Sequence, residues 1–301
     1  MPESARPIRL ATRRSDLAMA QARQVGEALG GPYELVGLTT RGDAAAGPLH
    51  AVGGKGLFTA ELEASLREGR VDLAVHSAKD VPAELPGDMT IAAVPLRADP
   101  RDAMVAPAPL EALPDGSRIG TSSPRRTAQV LAVRADLRIE PVRGNVETRL
   151  ARVGEELDGV VVAMAGLERL GIVADLAGRL WPLEVEDFVP AAGQGALIVQ
   201  CLTEDRAMRD RAGTIDDADS SAALSAERHV VRALGATCRS AIGVHADRAG
   251  GAWRAMGLAA APDGSRVIRC DAAGPSARAA GEALLAHLEA RGARDLLASG
   301  G

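Results

Sequence analysis

The sequence predicts an α/β protein of two successive lobes, each a sheet of parallel strands covered by helices, followed by a small α+β C-terminal domain. Three observations carry this reading. Strand and helix patterns alternate over the first 95 residues, and the alternation starts again near residue 118. From about Asp219 the pattern changes to one long helix, hairpin strands and a closing helix. Strands that alternate with helices form βαβ crossovers, and those give parallel sheets with helices on their faces.

Residues 8–12 read as the first strand, and Ala18, Ala22, Val25 and Leu29 line one face of the helix after it. Residues 33–40 read as a second strand. Phe58, Leu62 and Leu66 mark a helix at fourfold spacing, and residues 71–75 are a short buried strand running into His76-Ser77-Ala78-Lys79-Asp80. In the second lobe residues 118–121 are a strand, 124–134 a helix and 137–143 a strand. Asn145 caps a helix that runs to about Leu157, and residues 159–164 are a third strand. Residues 99–102 (DPRD) are the expected first crossing between lobes and 188–195 (FVPAAGQG) the second, with 196–202 a strand returning to the first lobe. A helix then reaches Leu234, Cys238 sits in a loop, and residues 242–273 form hairpin strands around Ala261-Pro262-Asp263-Gly264. A last helix fills 277–298. The expected domains are 1–98 with 196–216, then 99–195, then 217–301. Two such lobes facing one another make a cleft, and ligands of such sheets bind at the carboxyl ends of strands.

A chain of 301 residues has room for more than one core. Aromatic residues make up 2% and the net charge is −5, which excludes the basic, stacking surface of a nucleic-acid binder. The arginine clusters are islands in an acidic protein, as a pocket for a small anion requires. Of 35 basic residues only Lys55 and Lys79 are lysine; genome base composition is one explanation of the arginine excess, and positions that want an ammonium point charge rather than a planar fork are the other. The three cysteines, Cys201, Cys238 and Cys270, are an odd number, and no apolar signal segment precedes them. They are therefore expected to be reduced thiols of a cytoplasmic protein. No stretch approaches the roughly 18 apolar residues of a membrane span, and no His/Cys spacing indicates a metal.

Four strand-to-helix junctions carry cations: Thr12-Arg13-Arg14-Ser15, His76–Asp80, Gly120–Arg126 and Val142-Arg143-Gly144-Asn145. In the third, Ser123 reads as N-cap and Pro124 as the first helical residue, so Arg125 and Arg126 occupy the first turn. Exposed cations there oppose the helix dipole, at roughly 0.3–1 kcal/mol each. Four such violations beside free backbone N–H groups point to an anion site and a substrate with several carboxylates, the competing reading being arginines that are solvated or paired with nearby acids.

Ala51–Gly56 lacks the first glycine and the Ser/Thr of a phosphate-binding loop. It is read as a mobile lid whose Lys55 and Phe58 cover a ligand. Arg41-Gly42-Asp43 is read as a turn. His76–Pro82 holds the densest chemistry, because a carboxylate beside an ammonium at a strand end serves acid–base work or stabilises a cation formed during reaction; a salt-bridged cap is the alternative. A Schiff base at Lys79 has no supporting pyridoxal phosphate pocket. Cys238 lies in a small polar loop with a cation, Arg239, able to lower its pKa. Cys201 ends an apolar strand and reads as structural, and Cys270 has no assigned part.

In this order, ATRRS (11–15), TRGD (40–43), GGKGLF (53–58), AVHSAKDVP (74–82), DPRDA (99–103), GTSSPRR (120–126), VRGNVETRL (142–150), AGLERLG (165–171), PAAGQGA (190–196) and SAERH (225–229) resemble the hydroxymethylbilane synthase (porphobilinogen deaminase) family. The resemblance spans nearly the whole chain. It implies two lobes similar to those of periplasmic binding proteins, flanking a cleft, and a third domain carrying a cofactor. It also implies a monomeric transferase of tetrapyrrole (porphyrin and haem) biosynthesis that joins four porphobilinogen molecules head to tail with loss of ammonia, then releases hydroxymethylbilane by hydrolysis. The family's dipyrromethane cofactor is held by a thioether, here at Cys238. Each pyrrole bears an acetate and a propionate, which accounts for the arginines.

By the same resemblance Asp80 is the catalytic carboxylate, stabilising an azafulvenium-like cation and assisting loss of the α-proton. Lys79, Thr121, Ser122, Ser123, Arg125, Arg126, Arg143 and Gly144 map to positions that hold the cofactor. Arg13, Ser15, Arg149, Arg169 and Gln194 map to positions around the incoming substrate. The chain departs from the family at Thr237, where glycine is common before the cysteine, and at Ala241, where proline is common. It also departs at Pro124, Arg14 and Asp16. Two other classes compete: a non-catalytic polycarboxylate-binding protein on the same lobes, and a cysteine-nucleophile hydrolase with His76 or His229 as base.

Overall fold

The computed structural model describes residues 6–44, 56–237 and 239–299. Lys55, most of the glycine loop before it, and Cys238 lie outside the described residues. The chain divides into two compact units, residues 1–97 with 196–221 and residues 98–195 with 222–301.

The first unit holds a five-stranded sheet of β1 (Ile8–Arg13), β2 (Tyr33–Leu38), β3 (Leu73–Ser77), β4 (Met89–Ala93) and β10 (Leu197–Leu202), in the order β2-β1-β3-β10-β4. The second unit repeats the arrangement with β5 (Asp102–Val105), β6 (Arg118–Gly120), β7 (Arg138–Glu140), β8 (Gly159–Ala163) and β9 (Leu180–Leu183), in the order β7-β6-β8-β5-β9. In each sheet three strands are parallel: β2, β1 and β3, and likewise β7, β6 and β8. The fourth in order is antiparallel to both its neighbours.

The sheets are therefore mixed, where the sequence pattern gave parallel ones. The strands that break the rule are β5 and β10. Each begins within a few residues of a passage between units and enters its sheet in the reverse sense, between the third strand and the edge. The edge strands β4 and β9 were also unread. Pro182 interrupts the pattern of β9, and proline is tolerated there because an edge strand has an N–H side that needs no partner.

Other elements are shorter than their patterns. The helix capped by Asn145 is Val146–Ala151, and turns fill the stretch to Leu157. Residues 277–298 form two helices, Ala277–Ala290 and Ala293–Ser299, separated at Arg291-Gly292. The helix Arg206–Gly213 was not anticipated.

The C-terminal segment pairs β11 (Ile242–Ala249), β12 (Ala252–Ala260) and β13 (Val267–Gly274) into an antiparallel sheet. Val230, Leu234, Leu284 and Leu288 from its helices pack on Val244 and Trp253. Within the second unit this sheet contacts the segment 98–195 directly. Val244 N–H donates to the Pro190 carbonyl (3.0 Å), and Leu258 and Ala260 share a buried cluster with Ala128 and Val189. Among the described residues no helix is long and apolar enough to cross a membrane.

Candidate active site

Parallel neighbours end on the same edge of a sheet, so the segments after β1, β2 and β3 converge. The segment after β3 is the short 3₁₀ turn Ala78–Asp80, pinned by the Ala78 N–H donating to the Ala196 carbonyl at 3.0 Å. Ala78 is buried, whereas Lys79 and Asp80 are exposed. Arg13 ends β1 and brings its Nη1 to 4.0 Å from Asp80 Oδ2. Its guanidinium lies over the Phe58 ring, 4.3 Å from the centroid, and its Nε donates to Asp43 Oδ1 at 3.0 Å.

Asp43 is the residue the sequence reading passed over as part of a turn. It closes a reciprocal capping box with Thr40: Asp43 N–H donates to Thr40 Oγ1 (3.3 Å), while Thr40 N–H and Oγ1 donate to Asp43 Oδ2 (3.2 and 2.8 Å). The T-x-x-D spacing at the start of Arg41–Ala44 was the available signal. Burial alone would raise the Asp43 carboxyl, but hydrogen bonds from Arg13 and Thr40 outweigh it and hold it below the usual range. The result is a guanidinium fixed by stacking and by one carboxylate, beside a second carboxylate with 37% of its side chain exposed.

His76, one strand position earlier, is buried with Nε2 2.9 Å from Gln200 Oε1. Burial drags its pKa to about 4 against the opposing Gln200 bond, and Arg13 adds to the fall. A group so enclosed is poorly placed as base for an external thiol.

In the second unit the segments after β6, β7 and β8 converge in the same way. Ser123 and Pro124 take the expected N-cap and first helical places of Pro124–Val133, but the Ser123 side chain makes no capping bond. Arg125 and Arg126 turn inward, 4% and 6% exposed, onto Asp102, which is fully buried. Arg125 Nη1 donates to Asp102 Oδ2 (2.6 Å), and Arg126 Nε and Nη2 donate to Oδ1 (2.9 and 2.6 Å). Arg125 also reaches the Val189 carbonyl (2.8 Å) and Arg126 the Val161 carbonyl (2.9 Å). Gln194, buried as well, donates Nε2 to Asp102 Oδ1 (3.0 Å) and to the Pro100 carbonyl (2.8 Å). This corrects the leading expectation, both cations open to an external anion, in favour of the competing one, pairing with a nearby acid. An internal carboxylate engages them first. An acid at the head of the apolar strand β5 was the missed signal, because a buried charge needs a partner.

Within this trio two guanidiniums face one carboxylate, leaving one positive charge. Arg125 feels it: burial pulls its pKa down, Asp102 opposes, and Arg126 lowers it again.

The other site positions are local braces as well as donors. Thr121 Oγ1 accepts the Ser123 N–H (3.2 Å), and Ser122 Oγ donates to the Val142 carbonyl (2.8 Å). Gly144 has φ +99°, and a Cβ there would lie 2.8 Å from the Thr148 side chain. Arg149 Nε donates to the Gly144 carbonyl (2.9 Å), and Arg143 stands exposed beside it. Arg169 Nη2 donates to the Gly195 carbonyl (2.8 Å), with burial lowering its pKa to about 10 and Glu168 opposing. In the first unit Ser15 caps Asp16–Leu29, accepting the Ala18 N–H at 3.3 Å.

Residues 8–210 match the family model described as porphobilinogen deaminase, dipyromethane cofactor binding domain. The chain belongs to the porphobilinogen deaminase family. Porphobilinogen deaminase of Sorangium cellulosum is 46% identical over 88% of this chain and 90% of its own. Those of Acidithiobacillus ferrooxidans (42%; 99% and 98% covered) and Nocardia farcinica (44%; 97% and 88%) align over nearly the full length. Solved structures are more remote: the periplasmic VFT2 domain of Bordetella pertussis BvgS is 14% identical, covers 69% of this chain and 86% of its own, and has a TM-score of 0.39. The fold description therefore rests on the sheets themselves.

Membership in the porphobilinogen deaminase family sets a test for the site, whether these residues suit a dipyrromethane bearing acetate and propionate groups. The donor set fits. Ser123 leaves the N-terminus of Pro124–Val133 uncapped, the buried trio beneath it carries an excess positive charge, and Arg143 is exposed on the same sheet edge. The cysteine loop, where the chain departs from the family pattern, is braced by the departing residue. Thr237 Oγ1 accepts the Arg239 N–H (3.2 Å), and Ser240 Oγ accepts the Thr237 N–H (3.1 Å). Ala241 is buried, and its carbonyl accepts the Ala260 N–H at 2.9 Å.

Proposed function

We propose that the chain is a hydroxymethylbilane synthase, a transferase that condenses four porphobilinogen molecules and releases the linear product. The observation that carries this beyond family membership is Asp80, an accessible carboxylate held at a strand end beside a fixed guanidinium. Dipyrromethane, when bound, supplies the pyrrole carbon to which the first substrate unit is joined.

Asp80 faces the substrate pyrrole, where a carboxylate stabilises the positive charge that develops as ammonia leaves and accepts the proton lost after the new bond forms. Arg13, held by Asp43 and Phe58 and ion-paired at 4.0 Å with Asp80, grips a substrate carboxylate. Ser15, Arg149, Arg169 and Gln194 complete the substrate surroundings. Lys79, Thr121, Ser122, Ser123, Arg125, Arg126, Arg143 and Gly144 hold the cofactor, whose thioether is to Cys238. Lys55 joins Phe58 as a lid. Three domains are proposed, 1–98 with 196–216, 99–195 and 217–301, in a monomer acting in the cytoplasm.

The test is intact mass and bilane formation for wild type, Cys238→Ser and Asp80→Asn. Wild type carries the mass of a dipyrromethane, and Cys238→Ser does not. Asp80→Asn keeps its fold and loses at least about 100-fold in turnover, the lower range of a general acid–base contribution. Near-normal turnover by Asp80→Asn, or an adduct on Cys238→Ser, sinks the assignment of that residue. A wild type that stays unmodified after incubation with porphobilinogen favours the binding-protein reading instead.

A further inference from the structure

Glu227, from the SAERH stretch, has no part in the chemistry above, yet its carboxylate is fully buried. Oε2 accepts the Gly193 N–H at 2.6 Å and Oε1 accepts the Ala246 N–H at 2.8 Å. His245 is buried beside it, Nδ1 3.6 Å from Glu227 Oε1 and Nε2 3.5 Å from Asp247 Oδ2. Burying a carboxylate is costly unless it is hydrogen-bonded, and charge-assisted bonds of this kind are about twice as strong as neutral ones.

What the two oxygens hold gives the residue its meaning. Gly193 directly precedes Gln194, whose amide donates to Asp102, and Asp102 orients both Arg125 and Arg126. Gly195, just beyond, has φ +86°, and a Cβ there would sit 2.5 Å from the Ala98 carbonyl, so this segment has little room to shift. Ala246 lies on β11, the strand that leaves the loop Thr237–Ser240. One carboxylate thus ties the segment that positions the arginine pair to the strand that follows the cysteine loop.

We propose that Glu227 is a positioning residue, acting through Gly193, Gln194 and Asp102 to fix the two guanidiniums relative to the cysteine loop. The proposal rests on the reading that Arg125 and Arg126 hold carboxylates of a group attached at Cys238. Glutamine at position 227 turns one acceptor into a donor and sets it against one of the two N–H groups.

The experiment is a double-mutant cycle on the full chain: wild type, Glu227→Gln, Gln194→Ala and the double variant, each checked for folding by circular dichroism and assayed with porphobilinogen. Each single substitution is expected to lower kcat/KM by about 10- to 100-fold, in line with the roughly hundredfold cost of a misplacement near 1 Å. The double variant should fall within about twofold of the worse single, because both act by one route. Losses that multiply, or an unchanged kcat/KM in a folded Glu227→Gln, overturn the proposal. Amide exchange at Gly193 must also quicken in that variant, and unchanged exchange overturns it independently. Should Glu227→Gln not fold, Glu227→Asp, which keeps the charge but withdraws the carboxylate by one methylene, takes its place. A wild type without adduct or turnover instead sinks the functional reading itself.

Discussion

Replacing Asp102 by asparagine tests whether the arginine pair is a buried, internally compensated cluster. Among its contacts, the carboxylate accepts a hydrogen bond at Oδ2 from Arg125, and at Oδ1 two from Arg126 and one from Gln194. Asparagine is best accommodated with its oxygen at the Oδ1 position, which keeps three bonds and sets an amide NH₂ against Arg125. The substitution still removes the only carboxylate of the trio while both guanidiniums stay buried. Breaking a buried ion pair from one side costs about 3–5 kcal/mol, and the retained acceptor places this case near 3. Both tryptophans of the chain, Trp181 and Trp253, belong to the second unit, so fluorescence during urea unfolding reports on that unit directly. With a slope of about 2 kcal/mol per molar urea, the midpoint should fall by about 1.5 M. A fall below about 0.5 M would equal the cost of an exposed pair. The guanidiniums would then be solvated, and the buried positive excess invoked for cofactor binding would vanish.

Two further outcomes follow from the first unit. Phe58→Leu removes the ring beneath Arg13, a contact worth about 0.5–1 kcal/mol at an exposed site, so kcat/KM should drop about two- to fivefold with the unfolding midpoint unchanged; an unaltered kcat/KM would show that Asp43 alone holds the guanidinium. Asp72 governs part of the acid limb of stability. Burial alone would raise its carboxyl, but hydrogen bonds from Arg9 and Arg6 bring it from 3.8 down to about 2. A depressed carboxylate contributes stability above its unfolded pKa and loses it as pH falls through the folded value. Asp72→Asn should therefore lower the thermal midpoint at pH 7, and the gap to wild type should close between about pH 4 and pH 2. A gap independent of pH would contradict the ion-pair account.

Much of the fold was legible because periodicity is a local property. Ala18, Ala22, Val25 and Leu29 announced a helix, all four are buried, and Asp16–Leu29 forms around them. The unread strands β4 and β9 are short edges without strong alternation, and β5 went unread because the crossing at Asp99, Pro100 and Asp102 takes in its first residue. The direction of β5 and β10 was beyond reach for a different reason. A strand's sense depends on where the chain comes from, and no residue within Leu197–Leu202 encodes that it returns from the other unit.

The site divides along the same line. Cations at strand ends were visible, but the carboxylates that engage them were not, since Asp43 lies 30 residues after Arg13 and Asp102 lies 23 before Arg125. Helical spacing did hold one overlooked sign: Ala223, Glu227 and Val230 fall on a single buried face of Ala218–Ala233, continued by Leu234 just past its end, which places a charge where only apolar residues should sit. Such a charge requires internal partners, and the backbone N–H groups of Gly193 and Ala246 are among them. The same rule tempers the count of arginines. Four cationic junctions do not supply four free anion sites, because Arg13 and the Arg125–Arg126 pair are each partly neutralised at home. Beside the exposed Lys79 and Arg143, these two clusters leave one excess charge beneath an uncapped helix start and one stacked guanidinium near Asp80.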